Sequence, residues 1–306
     1  MRLKELIVEI SHNCNLECKM CGFGRLGFNK NKFMDFDTFK KIIDQLGGYA
    51  ENIRLNGRGE STIHPEFIQM TGYVKEKYAE KSLNLFTNLC FNSDKITECL
   101  IDSDYMLFIS IDSPEKNELE EIRRGCNYEL IIGNLNKVQQ LKKRPFIVFT
   151  LQEDNYHRIF DIAEFAKKYR MNLIYNTVRR DEGMEPFIQL VESNRDKIKI
   201  EFQKAKKLLE DEDLKCSIPN QISGIDLELN NTITYGEYSI CPALETELCI
   251  LYNGDVTPCN MFNPYIYGNI INSDIKTIMN SRKRLDFIKD YKSNYYCINC
   301  ACLGIE

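Results

Sequence analysis

The chain has 306 residues, and its formal net charge is −5 at pH 7, so its composition provides no basic surface for nucleic acid. No early run is long and apolar enough for a signal peptide or a membrane span, since Glu9 interrupts the apolar stretch at 6–10. We therefore expect a cytoplasmic protein that binds neither nucleic acid nor membrane, and in a reducing compartment its 13 cysteines indicate metal ligation rather than disulfides.

Short apolar runs alternate along the chain with longer amphipathic segments, a pattern that indicates a parallel sheet whose strands are joined by helices. The predicted strands cover residues 6–10, 53–56, 83–87, 106–111, 146–151 and 173–178. The predicted helices cover residues 36–46, 65–78, 130–143 and 159–169, and Asp35 is the expected N-cap of the first. Six such units fit a partial barrel, although periodicity alone does not distinguish one from an open sheet.

The chain changes character after the sixth predicted strand. Residues 185–213 form a long, charged helical stretch, and residues 241–302 are turn-rich and hold six of the 13 cysteines. At 306 residues the chain is longer than a usual single core, which favours one large domain with an appendage. We therefore predict an α/β protein with a barrel-like domain at 1–213 and a small cysteine-rich domain at 214–306.

Three cysteines fall within eight residues at the end of the first predicted strand. Cys14, Cys18 and Cys21 are separated by three and then two residues, a spacing that lets one loop wrap a compact metal centre. A closed structural zinc site needs four ligands, so half of a zinc site completed from elsewhere is one interpretation. The other is a cubane iron–sulfur cluster that uses three thiolates and leaves its fourth iron open for a substrate or cosubstrate.

Polar residues follow the next three predicted strands. The segment 57–61 reads Gly-Arg-Gly-Glu-Ser, in which glycines permit close backbone approach and Glu60 can accept hydrogen bonds from an ammonium group. Asn88 ends the third strand and Ser110 the fourth, and polar residues at the carboxyl ends of parallel strands face the mouth of a barrel. Turn formation and helix capping are the competing explanations for all of these residues.

The spacing of the three cysteines, directly after an apolar segment near the N-terminus, resembles the radical S-adenosylmethionine (radical SAM) superfamily. The resemblance implies a TIM-like partial (β/α)6 barrel with its chemistry at the carboxyl ends of the strands. It also implies a [4Fe-4S] cluster on Cys14, Cys18 and Cys21, with S-adenosylmethionine bound at the open iron.

The same resemblance assigns cosubstrate contacts. Gly59 and Glu60 match the end of the superfamily's Gly-Gly-Glu motif, which binds the methionyl amino group, while Arg58 and Ser61 depart from the usual glycine and proline. The remaining candidates lie where relatives contact the ribose, the carboxylate or the adenine. They are Asn88, Ser110, Arg123 or its neighbour Arg124, Met20 in place of the usual aromatic residue, and more weakly Thr150 and Gln152.

A second group of cysteines lies near the C-terminus. Gly254 predicts a tight hairpin that brings Cys241 and Cys259 together, and the Cys297-x-x-Cys300 knuckle completes four thiolates. Spacing alone also permits structural zinc, and either Cys249 or Cys302 can displace an assigned ligand. Beside an open cluster the pattern resembles the SPASM extension or its shorter form, twitch, in which Gly268-Asn269-Ile270 also recurs. That resemblance implies one auxiliary [4Fe-4S] cluster in this chain.

What the resemblance implies about activity is a radical SAM oxidoreductase. A flavodoxin or ferredoxin-type donor reduces the first cluster, S-adenosylmethionine is cleaved to a 5′-deoxyadenosyl radical, and that radical abstracts a hydrogen from the substrate. The layout resembles the dehydrogenases of aminocyclitol biosynthesis, which favours two-electron oxidation of a small polar or sugar-like molecule with the auxiliary cluster as electron acceptor.

Two other functions remain open at this stage. A peptide-modifying maturase forms a thioether or carbon–carbon crosslink or a D-residue, but only 13 residues precede Cys14, where such proteins often carry a peptide-recognition domain. The other open function is a metal-binding scaffold without enzymatic activity. If the protein were such a scaffold, the match of Glu60 and Ser110 to cosubstrate-binding positions would be a coincidence. No catalytic base is identified, although Arg179 and Arg180 after the sixth strand are expected to line the substrate pocket.

Overall fold

The structure, a computed structural model, describes residues 2–21, 32–178, 185–229, 241–260, 265–298 and 300. Its main feature is one ten-stranded sheet, and two pairs of two-residue strands lie outside it. The strands are β1 (Leu3–Val8), β2 (Glu17–Cys18), β3 (Ala50–Arg54), β4 (Ser82–Thr87), β5 (Met106–Ser110), β6 (Arg123–Arg124), β7 (Phe146–Leu151), β8 (Asn172–Thr177), β9 (Cys216–Ser217), β10 (Gln221–Ile222), β11 (Ile225–Asp226), β12 (Glu247–Ile250), β13 (Asp255–Thr257) and β14 (Gly268–Asn269).

Six parallel strands form the barrel. Strands β1, β3, β4, β5, β7 and β8 are hydrogen-bonded neighbours in chain order, and every pair among them is parallel. Helices occur in the connections between them, which is the arrangement of a parallel sheet with helical crossovers. These six strands are the six predicted from the apolar runs, so the partial (β/α)6 barrel is confirmed.

The sheet continues beyond the barrel at both edges. Strand β9 pairs with β8, while β12 pairs in parallel with β1 and starts an antiparallel meander with β13 and β14. Gly254 has a φ of 82° in the turn between β12 and β13, so the expected hairpin forms where only glycine is easily accommodated. The domain boundary at 213/214 stays a prediction, because β9 and β12 lie beyond it and still join the barrel sheet.

The helices lie in the connections between strands and, near the C-terminus, after β14. They are α1 (Phe36–Leu46), α2 (Phe67–Lys77), α3 (Asp94–Asp102), α4 (Lys116–Ile122), α5 (Tyr128–Val138), α6 (Ile159–Lys168), α7 (Glu185–Ser193), α8 (Arg195–Glu210), α9 (Pro242–Thr246), α10 (Ile275–Met279), α11 (Arg282–Asp290) and α12 (Tyr295–Ile298). Asp35 caps α1 as predicted, since its side chain accepts a hydrogen bond from the Thr38 amide. The predicted stretch 185–213 is two helices, divided at Asn194.

The two faces of the sheet have different surroundings. Leu85, Leu107 and Ile109 are fully buried in the main hydrophobic core. The alternate residues of β4, β5 and β7 carry stacked rings, with Phe86 and Phe108 centroids 4.4 Å apart and Phe108 and Phe146 centroids 5.4 Å apart. We call the side that carries these rings the interior face, because these half-buried residues line the inside of the partial barrel.

Register extends the interior face to the C-terminal meander. Ile7 pairs with Arg54 on one side and with Cys249 on the other, and Cys249 in turn pairs with Thr257. Directly opposed residues project from the same face of a sheet. The guanidinium of Arg54 lies 5.3 Å from the centre of the Phe86 ring, which joins this row to the interior face. No helix in the described parts of the chain is long and apolar enough to cross a membrane.

Candidate active site

The cysteine loop begins where β1 ends. Cys14, Cys18 and Cys21 are all half-buried, and their thiols interact electrostatically with one another. Burial, together with the nearby Glu60 carboxylate, raises the pKa of Cys14 to about 12. A buried thiol beside a carboxylate ionises only if a positive charge stabilises the thiolate. A bound metal centre supplies that charge, since thiolates are its ligands.

Nitrogen donors surround the sulfurs of this loop. The Leu16 amide lies 3.5 Å from Cys14 Sγ, the Asn88 Nδ2 atom lies 3.9 Å from the same sulfur, and Arg123 Nη1 lies 3.9 Å from Cys18 Sγ. Such donors stabilise thiolate charge and tune an iron–sulfur centre. The residues therefore fit a three-thiolate cluster with a polar surrounding shell.

Gly59 lies where the segment after β3 packs against the start of the cysteine loop. A Cβ atom at this position would overlap the carbonyl oxygens of Ser11 and Asn13, so only glycine fits. The next amide, that of Glu60, donates a hydrogen bond of 2.8 Å to the Asn13 carbonyl. Gly59 and the Glu60 amide therefore hold the start of the loop that carries Cys14 in place.

Glu60 is 3% exposed, and its carboxylate is hydrogen-bonded within the protein. It accepts from the amide and hydroxyl of Thr62 at 3.2 and 2.8 Å, from the Thr87 hydroxyl at 3.0 Å and from the Asn88 amide at 2.8 Å. Burial raises its pKa, and these hydrogen bonds oppose that shift. Glu60 thus joins the segment after β3 to the end of β4, beside Cys14.

Asn88 braces the cysteine loop through a neighbouring asparagine. Its Nδ2 atom donates to the Asn15 Oδ1 atom at 2.9 Å, and Asn15 Nδ2 donates to the Cys90 carbonyl at 2.7 Å. Asn88 Oδ1 accepts from the Cys90 amide at 2.9 Å. Sequence reasoning missed Asn15, although its place directly after Cys14 was a signal available in the motif itself.

Arg123 and Arg124 have different environments. Arg123 is 8% exposed in β6, where it pairs in register with Cys18, whereas Arg124 is exposed. The Arg123 Nε atom forms a buried ion pair of 2.7 Å with Asp112 Oδ2, and Asp112 Oδ1 accepts from the Thr150 amide at 2.7 Å. Burial lowers the pKa of Arg123, but the Asp112 and Cys18 charges raise it on balance. The sequence places Asp112 just beyond the fourth predicted strand, but it does not reveal this ion pair.

The other residues predicted to contact the cosubstrate lie near the carboxyl ends of the barrel strands or in the cysteine loop. Ser110 is half-buried, two residues beyond Phe108 on the interior face, and Met20 is half-buried in the turn between Cys18 and Cys21. Gln152 is buried just beyond the end of β7, and within the described residues its Nε2 atom has no hydrogen-bond partner. Cosubstrate contact at all these positions remains a prediction, and Arg179 and Arg180 lie outside the described residues.

The second group of cysteines converges beside the meander. Cys241 directly precedes α9 and interacts electrostatically with Cys300, while Cys259 and Cys297 both interact with Tyr267. The Cys300 amide donates to the Cys297 carbonyl at 3.1 Å, as expected for a two-residue knuckle. The structure therefore brings the four assigned cysteines into one region, where their thiols suit a four-ligand iron–sulfur site.

Two cysteines were left as alternative ligands. Cys249 is 1% exposed on the interior face, packs with Ile7 and Leu251, and is hydrogen-bonded to the Thr257 side chain. Cys302 lies outside the described residues. Among the described residues, no three Cys, His, Asp or Glu side chains are arranged to hold a single metal ion.

Arg58 connects the two regions. Its backbone amide donates to Glu9 Oε2 at 2.9 Å, and the Glu9 amide donates to the Ile250 carbonyl of β12 at 2.8 Å. The Arg58 side chain interacts electrostatically with Glu9, Cys249 and Cys259. The arginine that stands in place of a motif glycine therefore reaches from the segment beside Cys14 toward the second group of cysteines.

Comparison with known proteins identifies the family. The radical SAM superfamily profile matches residues 8–178, and that of the iron–sulfur cluster-binding SPASM domain matches residues 241–301. Among curated proteins, the tungsten-containing aldehyde ferredoxin oxidoreductase cofactor-modifying protein of Pyrococcus furiosus is 28% identical over 181 residues, 56% of this chain and 49% of that protein. The chain thus matches about half the length of this curated relative.

Several solved structures share the fold. The structure of anSMEcpe with bound AdoMet has 17% identity and a TM-score of 0.73, covering 93% of this chain and 82% of that chain. SuiB of Streptococcus suis, bound to S-adenosylmethionine, has 16% identity and a TM-score of 0.71, with coverage of 99% and 71%. BtrN in complex with AdoMet and 2-DOIA has 18% identity and a TM-score of 0.54, with coverage of 98% and 93%.

These matches agree with the site described above. The profile that covers residues 8–178 spans the barrel and the three-cysteine loop, and the SPASM match spans the second group of cysteines. The cofactors are therefore a [4Fe-4S] cluster with S-adenosylmethionine and an auxiliary iron–sulfur cluster. The chain is a radical SAM enzyme with a C-terminal SPASM domain.

Proposed function

We propose that this enzyme is an oxidoreductase that removes two electrons from a small polar or sugar-like substrate, with the auxiliary cluster as electron acceptor. When bound, S-adenosylmethionine and the two clusters would supply the one-electron chemistry, namely abstraction of a hydrogen atom and acceptance of the remaining electron, while the hydroxyl proton of the substrate passes to a nearby base. In this proposal Cys14, Cys18 and Cys21 hold the first cluster. Cys241, Cys259, Cys297 and Cys300 hold the second.

The observation that carries the proposal is the continuity of the interior face. Ile7 of the barrel, Cys249 of β12 and Thr257 of β13 form one row, and the Thr257 hydroxyl donates to the Cys259 carbonyl at 3.1 Å. A substrate held inside the barrel would therefore lie on the same side of the sheet as Thr257, whose hydroxyl binds the backbone of the proposed auxiliary ligand Cys259. This supports electron transfer between the two without a rearrangement of the sheet.

The chain's own residues have positioning roles in this proposal. Asn88, Arg123 and the Gly59–Glu60 segment orient the cysteine loop and contact the cosubstrate, while Ser110 lies at the mouth of the barrel. The interior face also carries charged and amide side chains, since Arg54 pairs with Glu5 at 3.2 Å and Asn84 donates to Glu5 at 2.9 Å. These groups are paired with one another on the amino-terminal side of Phe86, so the polar residues open to a substrate in this proposal are those at the carboxyl ends of the strands, such as Ser110.

A second candidate is peptide modification. The structural neighbours with the higher TM-scores include anSMEcpe with a bound peptide and SuiB bound to its precursor peptide SuiA, at TM-scores of 0.71 and 0.70. Both complexes share the fold with this chain, and this likeness is what supports the second candidate. The same clusters and the same direction of electron flow would serve a crosslinking reaction.

Substrate-dependent cleavage of S-adenosylmethionine tests the proposal. The reconstituted enzyme is incubated anaerobically with a reductant and either a panel of aminocyclitols, sugars and polyols or a panel of short peptides. We expect members of the small-molecule panel to increase 5′-deoxyadenosine formation and to yield a product that lacks two hydrogens. Stimulation by peptides alone would favour the second candidate, and 5′-deoxyadenosine without an oxidised small molecule or a crosslinked or epimerised peptide would contradict both.

A further inference from the structure

Tyr267 is a deeply buried tyrosine in the C-terminal region of the chain. The residue is 6% exposed, and within the described parts of the chain its hydroxyl has no hydrogen-bond partner. Two other deeply buried tyrosines are satisfied, since Tyr105 shares a hydrogen bond of 2.8 Å with Thr71 and Tyr175 donates to the Ile159 carbonyl at 2.6 Å. A buried donor without a partner is destabilising, so its retention requires an explanation.

The ring of Tyr267 is held in a fixed place. Its backbone amide donates to the Val256 carbonyl of β13 at 2.8 Å, three residues before Cys259. Its ring packs against Phe287 with centroids 5.9 Å apart and against Tyr265 at 6.1 Å. The hydroxyl therefore does not gain a partner by a simple rotation into solvent.

The surroundings of this hydroxyl contain proposed cluster ligands. The Cys259 and Cys297 sulfurs both interact electrostatically with it, and Arg284 contributes a positive charge nearby. A tyrosine hydroxyl keeps its proton at neutral pH, so this group is a hydrogen-bond donor. A cluster held by Cys259 and Cys297 would place acceptor sulfurs beside this hydroxyl.

We propose that Tyr267 donates its hydroxyl hydrogen bond to a sulfur of the auxiliary cluster and thereby raises the reduction potential of that cluster. Hydrogen bonds to cluster sulfurs stabilise the more negative, reduced state, which makes the cluster a better electron acceptor. The hydrogen bond rests only on the ligand assignment, whereas its use in accepting an electron rests on the proposed function. Tyr267 is in this sense a positioning residue for the second oxidation step.

A redox titration of the auxiliary cluster alone tests this proposal. Changing Cys14, Cys18 and Cys21 to Ala in the full chain leaves only the auxiliary cluster, which is counted as about four irons per chain. Tyr267→Phe is then added to this background, because it removes the hydroxyl and keeps the ring. Tyr265→Phe is the matched control, since the Tyr265 hydroxyl donates to the Lys283 carbonyl at 3.1 Å.

We expect Tyr267→Phe to keep its iron and to lower the midpoint potential measured by electron paramagnetic resonance. The expected size is up to about a tenfold fall in the ratio of reduced to oxidised cluster at a fixed potential, or about 59 mV for a one-electron couple. We also expect loss of an exchangeable proton coupled to the reduced cluster. Tyr265→Phe is expected to change neither quantity.

Three results would overturn the proposal. The first is an unchanged potential in Tyr267→Phe at full iron content. The second is an equal shift of the midpoint potential in Tyr265→Phe. The third is loss of iron from Tyr267→Phe. Loss of one hydrogen bond should not release a cluster held by four ligands, so that result would mean that Tyr267 has a structural role. If the background variant itself binds no iron, the ligand assignment fails before Tyr267 is considered. If Tyr267→Phe lowers the midpoint potential as expected but the enzyme oxidises no substrate, the hydrogen bond to the cluster is supported and only the proposed function is contradicted.

Discussion

The two groups of cysteines are assembled in different ways. Cys14, Cys18 and Cys21 lie in one loop, which side chains from the ends of neighbouring strands brace at close range, among them Asn88 and Arg123. The auxiliary group is drawn from positions 241 to 300, and its members lie on or beside short elements of the meander and its surroundings. The first site is therefore specified mainly by local sequence, and the second by the way the sheet extends past β1.

The electrostatic surroundings of the two sites also differ. Amide and guanidinium nitrogens lie within 3.9 Å of sulfurs in the first site. Around the second, Arg58 interacts with Cys249 and Cys259, and Tyr267 interacts with Cys259 and Cys297. Because each site has its own surrounding groups, its potential can be altered without changing the ligands of the other.

The largest expected effect separates the two sites completely. Cys18→Ala should remove the first cluster and Cys300→Ala the second, so that iron falls from about eight to about four atoms per chain in either case. Only Cys18→Ala should abolish cleavage of S-adenosylmethionine, because the open iron belongs to the first site. Iron analysis and 5′-deoxyadenosine assays on anaerobically reconstituted protein measure both quantities.

Cys99→Ala is the control for these two variants. Cys99 is half-buried near Thr71 and Ser103 and has no predicted ligand role, so its replacement should leave iron content unchanged. Loss of all iron from Cys300→Ala would show that the two sites do not assemble independently. That outcome would contradict the contrast between a locally specified site and a topologically specified one.

A smaller effect is expected from the glycine that positions the first loop. Gly59→Ala inserts a methyl group into the space occupied by the Ser11 and Asn13 carbonyls, which should destabilise the protein by about 2 kcal/mol. The displaced loop should also lower iron occupancy at the first site and leave the auxiliary site filled. Denaturant unfolding and iron analysis under anaerobic conditions measure the two effects.

Gly72→Ala is the matched control. No atom lies within 4 Å of a Cβ at Gly72, which is inside α2, so alanine there should stabilise the protein by up to about 1 kcal/mol through helix propensity. Opposite signs for the two substitutions would support the close approach at Gly59. Equal stability changes, or full iron occupancy in Gly59→Ala, would contradict it.

Much of the barrel was predictable because its strands are apolar runs flanked by turn residues. All six predicted strands exist, with bounds that differ by a few residues at most. Helices α3 and α4 were missed because they are short and polar, and α4 buries only Leu119 and Ile122. Strands of two residues, such as β9, carry too little pattern to be recognised.

The candidate site was predictable only where its residues lie close together in the sequence. The loop cysteines and the Gly59–Glu60 segment are visible in the sequence, but Asp112 and Tyr267 acquire their roles from partners distant in the chain. Arg58 was noted as a departure from a motif, and its contacts with Glu9 and Cys259 follow from folding alone. Sequence pattern identifies ligands in a loop, whereas their supporting groups depend on register and packing.

The smallest expected effect concerns the adjacent residues Arg123 and Arg124. The sequence does not show which of them contacts the cosubstrate, whereas in the structure only Arg123 is buried. Arg123→Lys keeps a positive charge but loses the planar guanidinium that contacts both Asp112 and Cys18, so binding of S-adenosylmethionine should weaken by about tenfold. Arg124→Lys should leave the affinity unchanged, because Arg124 is exposed. Equilibrium binding to the reconstituted enzyme measures both affinities. Because both variants keep the positive charge, equal losses would indicate a general perturbation of β6, and a loss only in Arg124→Lys would mean that the exposed arginine contacts the cosubstrate.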